Sequence, residues 1–365
     1  MRFGVYHDDT IPTSGRRFFG RLYQQLAQHA DFRRAGYDVV LCNISVPIRR
    51  LILEKLRGVR VVLRVDGLYF DALTERHLGA FSWPVRMLLR AIQAVSGKSQ
   101  FPADMANFIN GNWSAFIRIL LADHIIYQSA YSQRVYARYF PRKPHSIVVN
   151  GDAYLDDLAS GPHAGDAIRV ATVFDSWKPA KRMGETAQFV RWAREEKGVP
   201  ILFTLLGYTG SFSADTPPEV KGLVEHRPYI ETHPRFAAFE GAIAEELARA
   251  DLYLTFSFRD PCPNVVVESM AHGLPVVAID SGGMADIVGD AGILLPGNDD
   301  GAYFCSSRYD GDFPPIDFEA VLQAIQTIAG NSAEYRARVR RRFETDLAIP
   351  VVAERYLKVL QAVAK

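Results

Sequence analysis

Only three cysteines, Cys42, Cys262 and Cys305, occur in 365 residues. Odd in number and far apart, they supply neither a disulfide framework nor the paired spacing of a zinc site, and they predict a reducing compartment. No run of eighteen apolar residues is present, so no stretch can cross a bilayer as a helix. The opening MRFGVYHDDT has acids where a secretory leader needs an apolar core, which predicts a cytoplasmic protein. Gly-x-Gly-x-x-Gly and the Walker loop are missing too, arguing against nicotinamide chemistry and P-loop ATP hydrolysis. No cluster of His, Cys, Asp and Glu has the spacing of a metal centre. Asp310-Gly311-Asp312 has the Asp-x-Asp pattern that holds a divalent ion elsewhere, but it precedes Phe313-Pro314-Pro315 without a strand leading into it, and is read as a turn.

What is present is unevenly distributed. The net charge is +1, yet residues 1–150 hold 21 Lys and Arg against 10 Asp and Glu, and the remainder is net negative by ten. A basic first half predicts attraction to anionic lipid headgroups or to a diphosphate-bearing acceptor, the alternative being arginines that only solvate helices. No nucleic-acid module accompanies the charge. The length calls for two domains.

Strands and helices alternate throughout, which predicts an α/β protein with doubly wound parallel sheets. In the first half, Arg2–Tyr6, Tyr37–Cys42, Val59–Val65, His124–Gln128 and Ser146–Val149 read as strands. A helix over residues 16–28 places Phe18, Phe19, Leu22 and Leu26 on one side, with Ser14-Gly15 at its start. Asp66 follows a strand at the carboxyl end where open sheets take ligands; a plain Asp-Gly turn is the alternative. Residues 79–97 read as a core helix with arginines on its rim, the alternative being a helix that rests on a bilayer or grips a lipid-linked acceptor. Ala106–Leu121 reads as a further helix, and Ser129 as the N-cap of the one after it. The polar stretch 152–166 is the best linker.

The second half repeats the alternation from Ile168, with strands at Ile168–Phe174, Ile201–Leu205 and His226–Tyr229. Its centre is ADLYLTFSFRDPCPNVVVESMAHGLPVVAIDSGGMADIVG, residues 250–289. A buried strand leads into a loop carrying Asp260, then into a helix over Asn264–His272 that bears Glu268. A second strand follows, and then Gly282-Gly283 at another helix start. Helix N-termini hold phosphates, and carboxylates beside them accept hydrogen bonds from sugar hydroxyls. That combination suits a sugar nucleotide.

The stretch resembles the donor-site signature of glycosyltransferase family four, retaining enzymes of GT-B fold. Its Asp-Pro-Cys-x-Asn form resembles a bacterial branch that builds surface polysaccharides. The resemblance implies two Rossmann-like domains facing across a cleft. Residues 1–160 would form the acceptor side, 161–345 the nucleotide-sugar domain, and 346–365 a helix crossing back. It also implies transfer of a sugar from a UDP- or GDP-linked donor to a glycan or lipid-linked glycan, with no metal and no cofactor. Apart from the resemblance, the charge of the basic half leads to the expectation of peripheral contact with the inner face of the cytoplasmic membrane. Rival readings are a GT-B-fold sugar-nucleotide epimerase and a non-catalytic sugar-nucleotide-binding partner subunit.

By the same resemblance, Glu268 would accept the ribose hydroxyls. Asp260, standing where Glu is usual, would contact the sugar. Lys181 would neutralise the diphosphate, helped by Lys178, because the family's arginine position falls near Ser176. Asn264 and Val265 would offer backbone N–H groups, while Pro263 cannot. Gly15 matches one member of a glycine pair near the diphosphate, Gly282 and Gly283 would admit the ligand closely, and Asp66 would bind sugar or acceptor. Tyr229 would stack on the base. His272 is read as structural.

Overall fold

The computed structural model describes residues 1–6, 14–66, 73, 75–79, 81–96, 101–153, 167–174, 178–207, 222, 228–233, 242–297 and 312–365. At 14–17, 76–77, 232–233 and 242–245 only the backbone is described. Two parallel sheets organise it. The first, in order β1-β2-β3-β4-β5, comprises Phe3–Tyr6, Val39–Asn43, Arg60–Arg64, His124–Tyr127 and His145–Ile147. The second comprises β6 (Ile168–Val173), β7 (Ile201–Leu206), β8 (Ile230–His233), β9 (Leu252–Thr255), β10 (Val276–Asp280) and β11 (Gly292–Pro296), in order β11-β10-β9-β6-β7-β8. Both are parallel, as expected; among the described strands the order reverses, as a doubly wound sheet requires, in the second sheet, while the first runs in sequence order.

Strand alternation puts successive side chains on opposite faces, so each sheet separates two cores. In β2 and β3, Val40, Cys42, Val61 and Leu63 pack with Leu51, Ile119 and Tyr136, whereas Val39, Leu41 and Val62 pack with Phe18 and Leu22 on the other face. In β9 and β10, Leu252, Leu254, Val277 and Ile279 join Phe189 and Ile325, while Tyr253, Val276 and Ala278 join Val266, Met270 and Ile287. The closing helix Ile349–Ala364 packs among the first sheet's residues through Val352, Tyr356 and Leu360.

Several expectations are corrected. The strand placed at His226–Tyr229 is Ile230–His233, because Tyr229 ends a turn and Ile230 pairs with Phe203. A helix at Ile48–Leu56 was not foreseen. The helix begun at Ala106 is instead Phe101–Asn107, a π-turn at Phe108–Asn112 and Trp113–Leu121, broken where Gly111 takes φ 148°. Helix Trp83–Ser96 is no core helix: Leu89 is its one fully buried side chain. Ser129 does cap its helix, accepting from the Ser132 N–H at 3.0 Å. The linker residues 154–166, Ser176, Asp310 and Gly311 lie outside the described residues.

Candidate active site

The order of the second sheet reverses between β6 and β9, and such switch points open a crevice at the carboxyl ends of the strands. The chain leaving β6 runs into a 3-10 turn, Pro179–Lys181, and the chain leaving β9 runs through Ser257 to Asp260. The Phe258 N–H donates to the Ala180 carbonyl at 2.8 Å, locking the two loops together. Across this seam Lys181 Nζ lies 2.7 Å from Asp260 Oδ2 and 3.2 Å from Ser257 Oγ. Both ends of the ion pair keep about a quarter of their side-chain surface, 26% and 23%, so an incoming anion or sugar can reach them. Lys178 is exposed at the head of the same turn.

Asp260 also accepts the Cys262 N–H through Oδ1 at 3.0 Å, which fixes the carboxylate just ahead of the helix Asn264–Ala271. Three consecutive valines make that helix intrinsically poor. Burial of Val266, Val267 and Met270, about 1.5–3 kcal/mol per side chain, overrides the propensity. Its N-cap is Pro263, which offers no side-chain acceptor, so the first-turn N–H groups of Asn264 and Val265 point to whatever stands before the helix. Burial pushes the Cys262 thiol up to about 12, which removes it as a nucleophile at neutral pH.

Glu268 and Asn264 line a small pocket, open to solvent, together with Phe18 and Arg21 from the first half, and with Gly151 and Asp152. Arg21 is ion-paired with Asp152 there. Arg21 and Asp152 are cleft residues that sequence reasoning missed, since one arginine among many on a basic helix carries no signal. Gly15 opens the helix that presents Phe18 and Arg21.

Asp66 reaches the site through a buried relay. Its carboxylate receives Arg64 and, at 2.5 Å, Gln128 Nε2; its carbonyl accepts the Tyr136 hydroxyl at 2.5 Å. Arg64, fully buried, also donates to Asn150 Oδ1 at 2.7 Å, and Asn150 Nδ2 donates to Asn264 Oδ1 at 2.7 Å. The first residue of the Glu268 helix is therefore tied to the first sheet by side chains alone.

The glycine pair makes its close approach to protein. A Cβ on Gly282 (φ 69°) would strike the Asp260 backbone, and one on Gly283 would strike Pro261 and lie 2.9 Å from Ser129 Cβ in the first half. Tyr229 requires correction. It precedes β8, at the amino end of the sheet, is buried, and donates its hydroxyl to Glu195 Oε1 at 2.6 Å, so the fold holds it away from the crevice. His272 closes the Glu268 helix, is 8% exposed, and burial pushes its pKa down to about 4.

The lowered His272 pKa makes stability depend on pH. The folded pKa lies below the reference of 6.5, so the unfolded chain binds more protons between the two. The contribution is complete above pH 6.5 and is lost as pH falls towards 4, by about 3 kcal/mol. Urea midpoints measured at pH 7 and pH 4.5 should draw apart less in His272→Leu than in the native chain. An identical separation in both would rule this out.

Residues 189–305 match the family described as Glycosyl transferases group 1. No curated protein sequence matches the chain. Among solved structures, it resembles the pneumococcal O-GlcNAc transferase GtfA in complex with UDP and GlcNAc, at 14% identity and TM-score 0.55, covering 89% of this chain and 56% of that one. It also resembles Anabaena HepE in complex with UDP and glucose, at 14% identity and TM-score 0.52, covering 99% of this chain and all of that one. The sucrose-phosphate synthase of Thermosynechococcus elongatus shares 15% identity and a TM-score of 0.57, over 97% of this chain and 80% of that one. The chain thus spans little more than half the length of GtfA. At these identities the likeness is one of fold, and it runs over both sheets. Residues 189–305 thus carry the likeness to the group 1 glycosyl transferases, and the two parallel sheets share the GT-B fold of the solved structures.

Proposed function

We propose that the chain is a retaining, metal-independent glycosyltransferase that moves a sugar from a UDP-linked donor to a glycan or lipid-linked glycan in bacterial surface polysaccharide synthesis. The observation that carries this reading is the Lys181–Asp260 contact at the strand switch point, directly ahead of an N-terminus whose cap residue is proline. The diphosphate binds the Asn264 and Val265 N–H groups with Lys181 and Lys178 beside it, Asp260 meets sugar hydroxyls, and Glu268 takes the ribose. The complexes of GtfA and HepE with UDP support a uridine donor.

In the reaction the bond from the sugar's anomeric carbon to the phosphate oxygen breaks, and its electron pair leaves with the diphosphate. The acceptor hydroxyl attacks from the same face and its proton passes to the departing phosphate oxygen, so configuration is kept. Lysine charge and helix dipole stabilise the leaving group. Asp66 orients the sugar or acceptor from the opposite wall. The surplus cations of the first half draw in an acceptor that carries phosphate or lies among anionic headgroups.

A thermal-shift panel of nucleotide sugars tests the reading. A UDP-sugar at a hundredfold over its Kd should stabilise the chain by about 2.7 kcal/mol. Glu268→Gln should lose most of that shift while melting normally without ligand. No response to any nucleotide sugar would sink the proposal. Conversion of donor to an isomer with no acceptor present would replace it with an epimerase.

A further inference from the structure

Between Glu75 and Asp123 the sequence holds one carboxylate, Asp104, against Arg76, Arg86, Arg90, Lys98 and Arg118. The same stretch exposes apolar side chains that a folded domain normally hides. Trp83 is 71% exposed, Val95 90%, Phe101 56% and Leu88 53%, and Ile109 and Trp113 join them beside the Gly111 break.

The helix Trp83–Ser96 shows why this is a built surface. At about 100° per residue, Trp83, Met87, Leu88, Ala91 and Val95 fall within an arc of about 140°. Leu89, with Val85 and Ile92, occupies the opposite side and is where the helix rests on the domain through Ala106 and Phe81. Arg86 and Arg90 take the flank between, bonded to the Phe81 carbonyl at 3.1 Å and to Glu75 at 2.6 Å. The helix therefore has two apolar faces, and among the described residues it is the narrower one that is covered. The neighbouring elements continue the pattern. Helix Phe101–Asn107 packs on this helix, the π-turn and Trp113–Leu121 follow it, and Ile48–Leu56 packs on the last. Ile48–Leu56 adds Leu56, 79% exposed, between the exposed cations Arg49 and Arg57.

We infer that this face, from Ile48–Leu56 across to Trp83–Ser96, seats the chain on an anionic phospholipid bilayer. Apolar side chains with tryptophans at their edge enter the acyl boundary, and the arginines meet the headgroups. Charge decides between a bilayer and a second copy of the chain. A two-fold contact would set the same cations against each other across a dry interface, whereas an anionic surface compensates them. The inference deepens the acceptor side of the proposed transfer and rests on it only in that a lipid-linked acceptor lies in the same surface.

The full chain should float with vesicles of phosphatidylglycerol and phosphatidylcholine, and do so at least tenfold less with phosphatidylcholine alone or in 1 M salt. Leu88→Asp with Val95→Asp should lower binding to the anionic vesicles at least tenfold. Arg49→Glu with Arg57→Glu, at exposed positions that leave the apolar arc intact, should also weaken it several-fold. Both variants should keep the donor-induced thermal shift, which separates failure here from failure of the transferase reading. Native-like flotation of the Leu88/Val95 variant would overturn the inference. So would absence of binding by the parent chain, or a dimer in sedimentation that the Leu88/Val95 variant dissociates, which would show a second copy covering the face.

Discussion

Lys181→Met is expected to lower kcat by about 10²–10³-fold, the range seen when one preorganised charge or donor is removed from a developing anion. The size follows from where the lysine sits. Its Nζ is held between Asp260 Oδ2 and Ser257 Oγ, at the junction of two loops that a backbone hydrogen bond ties together. It is thus aimed before the substrate arrives and loses little freedom on binding. Methionine keeps the length and removes the charge. Asp260 then remains, fixed through the Cys262 N–H, as an uncompensated carboxylate where the proposed diphosphate departs. Repulsion adds to the lost attraction at the reacting phosphate, so kcat should fall by more than the loss of stability alone would cause. Asp260→Asn in the Lys181→Met background should restore part of the rate, and the cycle of four variants should show coupling well above 0.5 kcal/mol. Initial rates at saturating donor decide the matter. A kcat within threefold of the parent would remove Lys181 from the chemistry.

Arg64→Met should cost about 3 kcal/mol of stability and raise the donor KM as well. A guanidinium buried without exposure is tolerated here because Asp66 and Asn150 both take its N–H groups and the Phe18 ring lies 4.8 Å from its carbon. Taking away the cation leaves a half-buried carboxylate and a buried amide oxygen without their partner, which is the expensive way to break such a network. Asn150 is the next link, and it holds Asn264 at the head of the Glu268 helix. Loosening it should therefore be felt at the proposed donor site, although Arg64, fully buried, has no surface to offer a ligand. Arg64→Lys should not rescue either effect, since an ammonium cannot fork to two acceptors in a plane. Denaturant midpoints and donor titrations of the two variants provide the test. A loss of stability with unchanged donor affinity would confine Arg64 to packing.

Much of the architecture was legible because its signals are local. Apolar runs of four to six residues bounded by turns marked the strands at Val39, Arg60, Ile168, Leu252 and Val276 to within about two residues. Ser129 was readable as a cap because a hydroxyl before a helical pattern has one common use. What failed did so where local signals are ambiguous. Ile48–Leu56 has apolar residues and arginines in no clean period, and its burial at Leu51 and Glu54 depends on partners far along the chain. Trp83–Ser96 has the composition of a core helix, and nothing in its own sequence says which of its apolar faces the domain would cover. Tyr229 stood near enough to a ligand-bearing strand edge in sequence, but a shift of the strand by four residues put it at the opposite end.

By itself the sequence determined the parallel sheets, the order of strand, loop, helix and strand around residues 250–289, and the chemical types that a sugar nucleotide needs. Those follow from period, turn chemistry and side-chain identity, which are properties of neighbours in the chain. Only the tertiary structure decided that Lys181 meets Asp260 across 79 positions, that Arg64 and Asn150 join the first sheet to the Glu268 helix, and that Arg21 shares its pocket. Such contacts depend on which strands lie side by side and how the two sheets face each other. That is settled by burial of whole faces, a quantity no local stretch of sequence contains.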